Sequence, residues 1–173
     1  PEPTPVLRGP YGAVVMRQVL EHLHDPLAAL QRARELLAPD GVLMLTTPLI
    51  DSAAASLFGS YWYPLDSPRH LVLYTRRHLE PLLRTAGFRV AALLSHSSTT
   101  TWTRSLAYWL AESRLAGWSR RLDRRIIVHR LLWWPVRLLD QLAWGDGGMI
   151  LAVRDDAPFA GFAAREIREP RIR

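Results

Sequence analysis

Apolar residues first cluster at Ala13, Val14, Val15 and Met16, an uninterrupted run of the kind that forms a strand covered on both faces. The period then lengthens. Leu27, Leu30, Ala33 and Leu37 recur at helical spacing behind Asp25-Pro26, where the aspartate can cap a first turn and the proline can take the first helical position. Pro39-Asp40-Gly41 is a helix stop, and Val42 to Thr46 is a second apolar run, ended by Pro48. Strand, helix and strand within about thirty residues is the length of a right-handed crossover between parallel strands. The fold class expected from this alternation is α/β.

Asp51 to Tyr63 begins alanine-rich, as a short helix would, and ends in the aromatic cluster Phe58, Tyr61, Trp62 and Tyr63. Asp66 to His70 reads as a loop. The next helix is expected over Thr75 to Ala86, with Leu79, Leu82, Leu83 and Ala86 on its apolar face and Gly87 at its end. Pro81 requires that this helix start late enough to hold the proline in its first turn, or that it kink. Phe88 to Leu94 and Met149 to Val153 read as strands. Between them, residues 101–144 look like a helical insertion: Trp102, Leu106, Trp109 and Leu110 share one face, Trp118, Leu122 and Ile126 another, with Arg120, Arg121, Arg124 and Arg125 in between. Pro135 is expected to break or restart the helix. The Gly145-Asp146-Gly147-Gly148 run reads as a turn, because it precedes a strand. The expected organisation is residues 1–100 with 145–156 as one domain, 101–144 as the insertion or cap, and 157–173 as a tail.

Composition changes this picture in one place. The chain of 173 residues has no cysteine, which excludes disulfide frameworks, thiolate metal sites and thiol nucleophiles and suits a reducing compartment. Its net charge of +6 rests on 22 basic residues, all arginine. Residues 1–100 carry nine arginines against eight acids, whereas residues 101–144 carry eight against three. The basicity therefore belongs to the insertion, which also holds six of the seven tryptophans. Three readings fit it: a helical layer packing its tryptophans on the sheet, a cap over an apolar substrate, or an amphipathic surface for an anionic membrane. Nucleic acid is not expected, since no reader motif accompanies the charge. Pro1 to Pro5 lacks the basic start and apolar run of a secretory leader, and no uncharged run reaches about 18 residues. The expected location is cytoplasmic, with the insertion as a candidate for attachment at the inner face of a membrane.

The segment Val15-Met16-Arg17-Gln18-Val19-Leu20-Glu21-His22-Leu23-His24-Asp25-Pro26 resembles class I S-adenosylmethionine (SAM)-dependent methyltransferases, in the type 11/type 23-like subgroup that includes quinone O-methyltransferases. Leu36-Leu37-Ala38-Pro39-Asp40-Gly41, Thr47-Pro48, Pro68-Arg69-His70-Leu71 and Ala86-Gly87-Phe88-Arg89-Val90 follow in the order of that family. The resemblance covers residues 11–94 and resumes at 149–154. It implies a Rossmann-like sheet of which this chain holds the C-terminal half, strands 4 to 7. The glycine-rich cofactor turn and the ribose-holding acid of the first half would lie upstream, leaving a partial SAM site. By this reading the chain is a fragment, a truncated reading frame or one half of a partnered assembly. The strand at 13–16 would then be an open edge able to self-associate.

By the same resemblance, Met16, Arg17, Gln18 and Glu21 border the cofactor; Thr47, Tyr61, Trp62 and Arg69 are the candidates to border a small, apolar acceptor, with Tyr61 and Trp62 fitting the core equally well. His22 and His70 are the candidate bases, since imidazole titrates near neutral pH. Some quinone-type relatives use Glu-x-x-Glu-His for a metal, but Gln18 takes the first acidic position here. His22 and His24 fall on different faces of a helical turn, so no metal ligands are assigned. The implied activity is methyl transfer from SAM. The alternative is a silent binding or assembly module of the same fold.

Overall fold

The computed structural model describes residues 7–112 and 126–157. Their elements, in chain order, are β1 (Tyr11–Arg17), α1 (Pro26–Leu36), β2 (Leu37–Pro48), α2 (Ala53–Phe58), α3 (Arg76–Thr85), β3 (Phe88–His96), α4 (Thr99–Ala111), α5 (Ile126–Gln141) and β4 (Gly147–Arg154). The four strands make one sheet in the order β1-β2-β4-β3. β1 and β2 are parallel, joined by α1, while β4 enters between β2 and β3 antiparallel to both.

Local chemistry accounts for the element ends. Asp25 Oδ1 accepts the Ala28 amide at 2.9 Å and Pro26 opens α1, as the sequence predicts. Ser52 caps α2 through the Ala55 amide, and Gly87 follows α3 at φ +82°, a conformation that glycine adopts without a Cβ penalty. The Pro39-Asp40-Gly41 stop does end the helix at Leu36, but these residues then continue within β2. Register absorbs them: Tyr11 faces Leu37 and Ala13 faces Val42, so β2 bulges where β1 advances two residues.

The core lies under α1 and α3. Leu30, Leu43, Leu45, Leu79, Leu83 and Ile150 are fully buried there, with Phe88 at its edge. A satellite cluster of Ala54, Ala55, Phe58 and Trp62 packs against Trp102 and Leu106 of α4. Asp146 ties the two regions together: its buried carboxylate accepts the Ser98 amide at 2.9 Å at the start of α4, and its carbonyl accepts the Leu49 amide. Burial pushes that carboxyl above its ordinary range, offset in part by hydrogen bonds from Thr101, Ser98 and Ser97. The glycine run around it is thus a packed joint leading into β4, where a Cβ on Gly145 would collide with Asp140, Ser95 and Ser97.

Several expectations are corrected. β1 is not covered on both faces: Val15 is 59% exposed and only Met16 is buried, because the strand has β2 on one side and helix cover on one face. Pro81 is the sixth residue of α3, beyond its first turn, and Pro135 lies inside α5 without ending it. In both, the carbonyl four residues earlier, which loses its amide donor, belongs to an exposed residue, Arg77 or Leu131. The tryptophans do not pack on the sheet as a set. Trp109, Trp133, Trp134 and Trp144 are exposed, and α4 instead buries Thr101, Thr103 and Ser105, small residues that let it close on the turn at Tyr63. The Trp118 face, its intervening arginines and the tail from 158 lie outside the described residues.

Candidate functional site

The carboxyl ends of the parallel strands β1 and β2 lie side by side. Beyond β1 the backbone turns sharply: Gln18 adopts φ +52° while its amide bonds to the Thr46 carbonyl at 2.9 Å, an unusual conformation for a residue with a side chain. A short 3-10 turn, Leu20–His22, follows and buries Leu20 and Glu21. Met16 is therefore core, whereas Arg17 and Gln18 stand exposed at the strand end.

Glu21 anchors what comes next. Its main-chain carbonyl accepts the amides of Leu71 and Val72, at 2.8 and 3.2 Å, which brings the Asp66–His70 loop onto the turn. Its carboxylate is fully buried. Oε2 accepts from Thr47 Oγ1 at 3.1 Å, and Oε1 has no hydrogen-bond partner. His22 and His70 meet above it, ring centroids 4.7 Å apart and edge-on. The Nδ1 atom of His22 lies 2.9 Å from the Arg69 carbonyl, and that of His70 lies 2.6 Å from the Pro64 carbonyl. A carbonyl only accepts, so each Nδ1 carries a proton, and in the neutral ring each Nε2 offers its lone pair. One donor atom from each of Glu21, His22 and His70 lies within 4.8 Å of the other two. Tyr74 closes the site from below; burial, and secondarily the Glu21 charge, push its phenol up to about 12.

The sequence-predicted residues divide clearly. Glu21, His22, His70 and Thr47 converge, and Gln18 borders them through its bond to β2. Arg69 contributes its carbonyl, while its guanidinium pairs with Asp66 at 2.7 Å in solvent. Tyr61 is half-buried and donates to Glu112, a hydrogen bond that raises its pKa above the ordinary phenol value. Trp62 is 1% exposed, a member of the satellite core with no face to offer an acceptor. The pairing of Glu21 and His22 with His70 is what sequence spacing missed, since it depends on a contact across 48 positions and not on His24. This donor set fits a divalent cation: a buried carboxylate oxygen without a partner, and two imidazoles oriented by carbonyls as metal-ligating histidines are. The described glycine run before β4 is filled by its own neighbours. Two clefts, of about 400 and 280 Å³, open at α5 and the segment after β3, the smaller one reaching His96 at the carboxyl end of β3, on the same edge of the sheet as the end of β2.

An open α/β sheet with polar groups gathered outside its strand carboxyl ends is the build of a small-molecule-binding domain. The family model described as "Methyltransferase domain" matches residues 2–93, more than half of the chain. The chain belongs to that family, and its fold is that of the class I SAM-dependent methyltransferases. It is similar to the mitomycin 7-O-methyltransferase MmcR, at 16% identity and a TM-score of 0.50 over 86% of this chain and 31% of that one. It is also similar to a SAM-dependent methyltransferase from Thermotoga maritima, at 13% identity and a TM-score of 0.52 over 88% of this chain and 59% of that one. The chain thus spans less than two thirds of either structure. No curated protein matches it in sequence.

Proposed function

We propose that this chain supplies the acceptor-side half of a SAM-dependent methyltransferase acting on a small, apolar acceptor. The observation that carries this reading is the pair of imidazoles whose Nδ1 protons are engaged by carbonyls, leaving both Nε2 atoms to receive a proton. Methyl transfer is chiefly a matter of position, because the sulfonium donor is already reactive. His22, the more exposed of the two, takes the acceptor proton at Nε2, and His70 orients the acceptor. Glu21 stabilises the positive charge that His22 then acquires. Thr47 holds the Glu21 carboxylate in place. A divalent cation would be held by Glu21, His22 and His70, the imidazoles through Nε2, and would supply the lowered pKa of an acceptor hydroxyl in place of proton uptake by His22. Met16, Arg17 and Gln18 border the donor in a site that is partial within this chain. The exposed β1 edge is where a further strand adds, from another part of the enzyme or from a second copy.

Imidazole C–H resonances followed during titration with a panel of phenols, quinols and amines test the acceptor half. Saturable shifts of His22 and His70, without shifts of the remote His78 and His96, are expected; no shift across the panel refutes the assignment. Calorimetry with S-adenosylhomocysteine tests the donor half. Tight binding by this chain alone overturns the claim that its cofactor site is partial.

A further inference from the structure

The helix α5 presents two unlike sides. Val136 is buried where the helix meets α4 and β3. Away from that contact, Leu131, Trp134, Leu138 and Leu142 are 72%, 75%, 55% and 54% exposed. At about 100° per residue, Leu131, Trp134 and Leu138 fall within an arc of about 60°, and Leu142 follows one residue past the helix end. Arg130 and Arg137 run along the margin of that arc nearest Trp134, both exposed. Trp133 stands beside them, edge-on to Trp134 with ring centroids 5.0 Å apart, and the Arg137 guanidinium lies 5.7 Å from its ring centroid. Asp140, the acid nearest this margin, is taken up by Ser97 and Arg137.

We infer that this face of α5 docks on an anionic lipid bilayer, lying in its surface with the leucines and Trp134 inserted and the arginines at the headgroups. The charge decides between occupants. The sequence segment 101–144 has eight arginines against three acids, and two of those arginines, Arg130 and Arg137, flank this face, so its charge favours an anionic surface over a second copy of equal charge. An anionic surface is attracted by the same charge, indoles favour the bilayer interface, and arginine stems bury their methylenes while the heads stay at phosphate level. The helix lies on the membrane and does not cross it, since no helix among the described residues is long and apolar enough to span.

Co-sedimentation of the full chain with phosphatidylcholine vesicles, with and without phosphatidylglycerol, tests this. Partitioning is expected to be at least roughly tenfold stronger on the anionic vesicles and to fall as salt is raised. The double variant Trp134→Ser/Leu138→Ser, whose positions are exposed, is expected to lose roughly tenfold in binding. Arg130→Gln/Arg137→Gln should bring anionic binding toward the neutral level. In the unaltered chain, bromines on the lipid tails should quench indole emission, which keeps the test independent of how the variants fold. Equal binding to both vesicles, no binding, or absence of quenching overturns the proposal. So does a dimer in sedimentation equilibrium that Trp134→Ser/Leu138→Ser dissolves, which would assign the face to a second copy.

Discussion

Replacing Glu21 by glutamine separates the stability of the site from its function. In the folded chain the carboxylate is fully buried, accepts a single side-chain hydrogen bond, from Thr47, and leaves Oε1 without a partner. An unsatisfied buried acceptor costs about 1–3 kcal/mol, and more when it is charged. Glutamine keeps the size of the side chain and a carbonyl for Thr47. It removes the charge and aims an amide N–H toward the imidazoles, whose Nε2 lone pairs can accept it. The expected result is a gain of about 1–2 kcal/mol. For a chain of this size that raises Tm by roughly 2–8 °C. The assay is a thermal melt at neutral pH, first with a chelator and then with Mg²⁺ or Mn²⁺. The unaltered protein should gain stability with the cation and the variant should not, because a ligand bound only by the folded state stabilises it by mass action. A fall in Tm of several degrees on Glu21→Gln, with no cation response in either protein, would refute the reasoning and make the carboxylate a structural anchor of the turn. A stabilised variant would show that the native site holds a strained charge for use.

Three further outcomes are expected. Leu30→Ala, at a fully buried position between α1 and the sheet, should destabilise the chain by about 2–5 kcal/mol in urea unfolding at an unchanged m-value. Tyr74 should ionise near pH 12 in a tyrosinate absorbance titration, above the ordinary phenol value of 10.0. Because its folded pKa is raised, its contribution to stability is complete below about pH 10 and is lost as pH rises toward 12. Val15→Arg, on the open edge strand, should leave the monomer fold intact while reducing concentration-dependent association in light scattering.

What could be read from the chain alone was what depends on near neighbours. Asp25-Pro26 and Gly87 mark their helix ends correctly because capping and positive φ are decided within four residues. The prolines were harder. The cost of a missing amide depends on whether the abandoned carbonyl is buried, and the exposure of Arg77 and Leu131 is a property of packing. Helical periodicity likewise shows that the insertion has an apolar side without saying which way it turns. Val136 takes the inward position and Trp134 the outward one, against the expectation from size. At the site, Glu21 and His22 were legible from their motif. Their meeting with His70 rests on the Leu71 and Val72 amides bonding to the Glu21 carbonyl, a contact between loops that no spacing encodes.

The position of β4 has a consequence for how the chain is made. β2 and β3 are linked within the sheet only through β4, and residues 97–146 are synthesised before that strand emerges. Until Arg154 has left the ribosome, both neighbouring strands carry unpaired edges and the sheet cannot close. Closure of the sheet therefore waits for β4, with long-range pairing of the slow kind. A nascent chain that has released α5 but not β4 would present two open strand edges and the tryptophan face together, a natural target for chaperone binding or proteolysis.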